Sequence, residues 1–123
     1  MKTALLVGLG SFIGGAGRYL VSKLLQQNIV SSFPYGTFTV NVVGCFLIGA
    51  VYGWSSKNPL DPTWQLFLTT GILGGFTTFS AFSMETINLM KAGNPYTAIL
   101  YVFLSVLFGL VATVNGYWVA RLV

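Results

Sequence analysis

Gly71-Ile72-Leu73-Gly74-Gly75-Phe76-Thr77-Thr78-Phe79-Ser80-Ala81-Phe82-Ser83 decides how this chain folds. The stretch sits inside an apolar run from about Trp64 to Met90. That run is long enough to cross a bilayer core, which takes about 20 residues as a helix. It nevertheless carries two adjacent glycines and a series of hydroxyls in its middle. Glycine and β-branched threonine both weaken a helix. Two readings are open. Either the helix breaks in mid-membrane, with freed carbonyls that must be buried or ligated, as in discontinuous helices that hold a cation such as Na⁺. Or the helix runs through, its glycines serving packing and its hydroxyls bonding to carbonyls one turn back.

Three more apolar runs flank this one, at about 3–25, 35–54 and 95–120. Polar punctuation separates them: Gln26-Gln27-Asn28 and Ser31-Ser32-Phe33-Pro34, then Ser55-Ser56-Lys57-Asn58-Pro59 with Asp61-Pro62, then Lys91-Ala92-Gly93-Asn94-Pro95. Gly93 reads as a helix stop and Pro95 as a first-turn residue. No period-2 alternation marks a membrane β-barrel. Arg18, Lys23 and three further spans follow the first apolar stretch, which argues against a cleaved leader. Trp54, Trp64 and Trp118 fall near span ends, where an aromatic belt belongs.

Composition agrees. Of 123 residues, 54% are apolar and only 7% charged, against about 25% charged in a soluble domain. There is no His and one Cys, Cys45, so neither a His/Cys zinc site nor a Ser-His-Asp triad can be assembled in one chain. The two carboxylates, Asp61 and Glu85, lie near span edges and offer no acid–base pair, so the chain does not read as an enzyme. The net charge of +4 comes from scattered single residues, which is not a nucleic-acid footprint.

Four spans put both termini on one side, with Lys2, Lys57 and Arg121. Lys23 and Lys91 lie on the other, with Arg18 just inside the membrane edge. The positive-inside rule then gives almost no orientation bias. Either a small bias still sets one orientation, or copies insert both ways and pair as an antiparallel homodimer, a two-chain version of an inverted repeat. Gly10/Gly14, Gly49/Gly53 and Gly71/Gly75 are each four apart and suit close helix contact.

Polar residues inside the spans are the candidate site. Thr37, Asn41 and Cys45 share one face of the second helix. The Asn41 amide either bonds a neighbouring helix or donates to an anion. Cys45 reads as packing. Phe79 and Phe82 share a face, interleaved with Ser80 and Ser83; ring edges carry partial positive charge and meet a small anion without trapping it, as conduction requires. Tyr101 and Ser105, with Gly109, align on the fourth helix. Asn115 reads as a bond between helices, Glu85 as a partner for a basic residue, and Arg18 as a cation that concentrates anions or snorkels to headgroups.

These residues resemble a known family. Gly74–Ser83 resembles the GGxTTFSTFS signature of the Fluc/CrcB fluoride channels, Gly36–Asn41 its GTxxVN motif, and Gly14–Arg18 its GxxxR element. The resemblance covers essentially the whole chain. It implies an all-α membrane protein with four spans, the third broken in mid-membrane, paired as an antiparallel dual-topology homodimer in the bacterial inner membrane. It implies two pores that pass cytoplasmic F⁻ outward by electrodiffusion and protect the cell from fluoride. It assigns Phe79 and Phe82 to ring-edge contact with the ion, Asn41 to donation, and Tyr101 and Ser105 to a polar track; Ser80, Ser83 and Thr37 complete the pore set. Arg18 matches the vestibule arginine, and Glu85 an acidic position near the pore end. The Gly74 and Thr77 carbonyls match positions that hold a structural Na⁺ between subunits. Gly109 departs from the family, which often has Ser there, and Ala81 stands where Thr is common. The rival reading is a small four-helix dual-topology coupled transporter, but those depend on a carboxylate in the first helix, and residues 3–25 contain no Asp or Glu.

Overall fold

The computed structural model describes all residues, Met1–Val123, and is all-helical. Helix α1 covers Lys2–Asn28, α2 Tyr35–Ser55, α3 Pro62–Leu66, α4 Gly74–Phe76, α5 Phe79–Lys91 and α6 Pro95–Leu122; Phe67–Leu73, between α3 and α4, is π-helical. By length and hydropathy four stretches can cross a membrane: α1, α2, Pro62–Lys91 and α6. Only 18 of 123 residues are buried. Large side chains such as Leu9, Phe12, Phe103 and Leu110 point outward, as expected when the surrounding solvent is hydrocarbon.

Helix α1 runs three residues past the apolar stretch. Gln26 and Gln27 are good helix formers, and Asn28 Nδ2 donates to the Leu24 carbonyl at 2.6 Å. Polarity ended the span but not the helix. The turn after α5 is as the sequence suggests: Gly93 has φ 81°, its N–H reaches Met90 O, and Asn94 N–H reaches Leu89 O. This is a Schellman motif, and Pro95 opens α6. Asn115 differs from expectation. Its Nδ2 donates to Val111 O at 2.8 Å, on its own helix.

Two glycine seams hold the helices together. Gly10 and Gly14 of α1 lie against Phe67, Gly71 and Ile72, and Gly75 lies against Ser11. Gly49 and Gly53 of α2 meet the Thr113 and Tyr117 carbonyls of α6, and Gly116 of α6 meets Phe46. A methyl on Gly14 would overlap the Ile72 carbonyl oxygen, and one on Gly49 the Thr113 carbonyl oxygen. Both obstacles are backbone, so neither yields by a rotamer change. Gly14→Ala is expected to destabilise by about 3 kcal/mol. Gly8, with open space around its Cβ position, gains helix propensity on Gly8→Ala, about 1 kcal/mol. Thermal unfolding in detergent would separate the two; equal midpoints would remove the packing role of the first seam.

Candidate functional site

The helical backbone stops at Phe76 and resumes at Phe79. Between them Thr77 (φ −85°, ψ 159°) and Thr78 (φ −153°, ψ 122°) are extended. Upstream, Gly74 N–H reaches Thr69 O as well as Gly71 O, the wide turn of the π segment. Downstream, Thr78 Oγ1 caps α5 by accepting from Ala81 N–H at 3.2 Å.

An interruption leaves backbone groups without helical partners, and these must be satisfied where no water reaches. Asn41 of α2 does this for Thr78 on both sides. Thr78 N–H donates to Asn41 Oδ1 at 2.8 Å, and Asn41 Nδ2 donates to Thr78 O at 3.0 Å. The side-chain amide thus substitutes for a peptide unit. Thr77 N–H goes to Leu73 O at 3.0 Å. The Gly74 carbonyl loses its usual donor, Thr78 N–H, to Asn41, and the Thr77 carbonyl loses Ala81 N–H to Thr78 Oγ1. These are uncharged hard oxygens, the donor type that alkali and alkaline-earth cations take. Two per chain do not complete a cation's shell.

A groove of about 350 Å³ opens beside the interruption, lined among others by Asn41, Gly74, Thr77, Phe79, Phe82 and Ser105. Most hydroxyls in its wall or close beside it are already engaged: Thr69 Oγ1 donates to Gln65 O at 2.9 Å. Thr77 Oγ1 donates to Leu73 O at 3.0 Å, and Ser83 Oγ to Phe79 O at 3.0 Å. Ser80 Oγ and Thr78 Oγ1 share one hydrogen bond at 3.2 Å. What remains is Ser105 Oγ, buried with no partner, the second N–H of Asn41, and the one hydroxyl hydrogen that the Ser80–Thr78 pair leaves over. Phe79 and Phe82 add ring edges, with centroids 5.5 Å apart and planes tilted by 43°. Phe79 is 79% exposed, so it is presented outward from this chain.

A second, polar cavity of about 440 Å³ has walls that include Ser22, Gln26, Thr37, Glu85, Asn88 and Asn94. Glu85 has no basic partner there. Its Oε1 accepts from Thr37 Oγ1 at 2.6 Å and its Oε2 from Tyr101 Oη at 2.7 Å. Hydroxyls on two other helices have replaced the expected cation. The Tyr101 ring is fully buried and packs on Phe82 with centroids 5.2 Å apart. Phe82 in the wall of the groove is thus linked, through Tyr101, to Glu85 in the wall of the polar cavity. Arg18 lines neither; its Nε is buried on α1 without a partner.

A family profile described as "CrcB-like protein, Camphor Resistance (CrcB)" matches residues 5–117. The chain belongs to the CrcB family. Among curated relatives, a "Fluoride-specific ion channel FluC" of Flavobacterium psychrophilum is 43% identical over 122 residues, covering 98% of both chains. One of Azobacteroides pseudotrichonymphae is 44% identical over 118 residues, covering 95% of this chain and 94% of the relative. One of Leptospira interrogans is 41% identical over 121 residues, covering 98% and 95%. All three bear a channel's name, not an enzyme's. The CrcB match takes in most of α1, all of α2, the interrupted stretch and most of α6, so every residue lining the two cavities lies within it.

Proposed function

We propose that the chain is a fluoride-specific channel that lets cytoplasmic F⁻ leave the cell passively, and so protects against fluoride toxicity. Near full-length identity of 41–44% to relatives named as fluoride-specific channels carries this reading. The residues supply a matching chemistry. A small, strongly hydrated anion needs its water replaced without being trapped. Ser105 Oγ and the spare Asn41 N–H donate, and the Phe79 and Phe82 edges contribute partial positive charge. The path runs from the polar cavity past Thr37 and Tyr101, across Phe82, into the groove with Ser80 and Ser83 near it. A passing fluoride competes with Glu85 for the Thr37 and Tyr101 hydroxyl hydrogens.

The working unit in this reading is an antiparallel dual-topology homodimer in the plasma membrane, with two pores. The outward-facing Phe79 and the incomplete set of free carbonyls both support a second copy. The interruption at Thr77–Thr78 lies in mid-membrane, and the Gly74 and Thr77 carbonyls of two copies together hold a structural Na⁺. Arg18 raises the local anion concentration from the vestibule. A proton-coupled transporter is the weaker reading, because α1 contains no carboxylate.

The test is fluoride efflux from liposomes holding the purified protein, read with an ion-selective electrode. Valinomycin carries compensating K⁺, and a chloride electrode runs alongside. Fast, valinomycin-dependent fluoride release without chloride release is expected. No release from folded protein would overturn the assignment.

A further inference from the structure

At the end of the bundle where α2 and α6 finish, a groove of about 380 Å³ runs between the two helices. It is separate from the groove beside the interruption, with only Ile48 common to both. Tyr52 on one wall and Val114, Tyr117 and Trp118 on the other make it apolar and aromatic. It exists because the Gly49–Gly53 seam draws the two helix backbones together and leaves their larger side chains to splay along the flank.

Two cations stand at its mouth. The Arg121 guanidinium lies 5.5 Å from the Tyr117 ring centre and 5.2 Å from that of Trp118. Lys57 Nζ donates to the Arg121 backbone carbonyl, so both cationic residues stand at the same end of the groove. No carboxylate neutralises them. Glu85 accepts from Thr37 and Tyr101, and Asp61, in the loop beyond Lys57, accepts from Thr63 N–H as the cap of α3. An apolar groove ending in two unpaired, aromatically braced cations has the charge and polarity sequence of an anionic phospholipid. Basic pockets between membrane helices bind such headgroups.

We propose that this groove binds one anionic phospholipid, its phosphate between Lys57 and Arg121 and the upper methylenes of one acyl chain against Tyr52, Val114 and Trp118. Tyr117 and Trp118 hold the guanidinium at headgroup level, so Arg121 meets the phosphate without reordering its side chain.

Trp118 makes the site observable. In a Trp54→Phe/Trp64→Phe background it is the remaining tryptophan. The full chain would be reconstituted in vesicles containing phosphatidylglycerol or phosphatidylcholine with brominated acyl chains, and quenching measured against lipid mole fraction. Quenching by phosphatidylglycerol is expected at roughly tenfold lower mole fraction. The preference should shrink in high salt and vanish in Lys57→Gln/Arg121→Gln. Lys57→Gln alone leaves the aromatic stack intact and should lose part of it. Equal quenching by both lipids, or a preference that survives the double substitution, would overturn the proposal. So would absence of quenching by either, which would mean that another copy of the chain fills the groove.

Discussion

Phe82→Ile is expected to stop fluoride efflux while leaving the protein folded and assembled. Phe82 lines the groove and packs on the buried Tyr101, whose hydroxyl bonds Glu85 in the wall of the polar cavity. Isoleucine fills much of the same space but has no ring edge to offer an anion. A loss of about 2–3 kcal/mol at that step slows passage roughly a hundredfold. The packing loss is smaller, about 1 kcal/mol, because Phe82 is only partly buried. Flux from liposomes and elution from a sizing column separate the two effects. Unchanged flux would remove the ring-edge role. Phe79→Ile is an informative companion: Phe79 is 79% exposed in the single chain, so its substitution costs little stability unless a second copy covers it.

Asn41→Asp is expected to lose both flux and stability. The aspartate keeps an acceptor for Thr78 N–H but sets an oxygen against the Thr78 carbonyl, where Nδ2 now donates at 3.0 Å. Two acceptors then face each other with no hydrogen between them, at a cost of about 1–3 kcal/mol. The added negative charge also repels an approaching anion. Asn41→Ala removes the bridge without adding charge, leaving both Thr78 backbone groups unsatisfied. If the folded fraction of Asn41→Asp conducts normally, Asn41 only ties α2 to the interruption and takes no part in the ion path.

What could be read in advance divides along physical lines. The four spans were legible because hydrocarbon demands about 20 apolar residues in each, and Gly93 was legible because a left-handed residue ends a helix cheaply. The end of α1 was not, since Gln26 and Gln27 suit a helix as well as a loop. Whether the backbone runs through Gly74–Thr78 could not be settled from residues that merely weaken a helix. Asn41 and Thr78 are distant in sequence, and nothing local announces that an amide will replace a peptide unit. The π-helical turn at Phe67–Leu73 carried no signal beyond Thr69, Thr70 and Gly71, which disfavour an α-helix without specifying a wider one. Among candidate site residues, Thr37, Phe82 and Tyr101 do come together, but around Glu85, which was read as waiting for a cation. Its true partners are hydroxyls on two other helices, Thr37 and Tyr101, and the clue available was a carboxylate in a chain whose neighbouring helices carry hydroxyls rather than cations. Arg18 stands apart from both cavities.

The two glycine seams also govern how this chain is able to drift over generations. Side chains such as Leu9, Phe12, Phe103 and Leu110 stand exposed on the chain, and wherever such a side chain meets lipid one hydrocarbon serves as well as another, so exchange there should be nearly silent. At Gly14, Gly49, Gly53 and Gly116 the added atom would collide with a backbone carbonyl, and no single compensating change elsewhere relieves it. Such positions should act as fixed points, and the lipid-facing surface should be free to change.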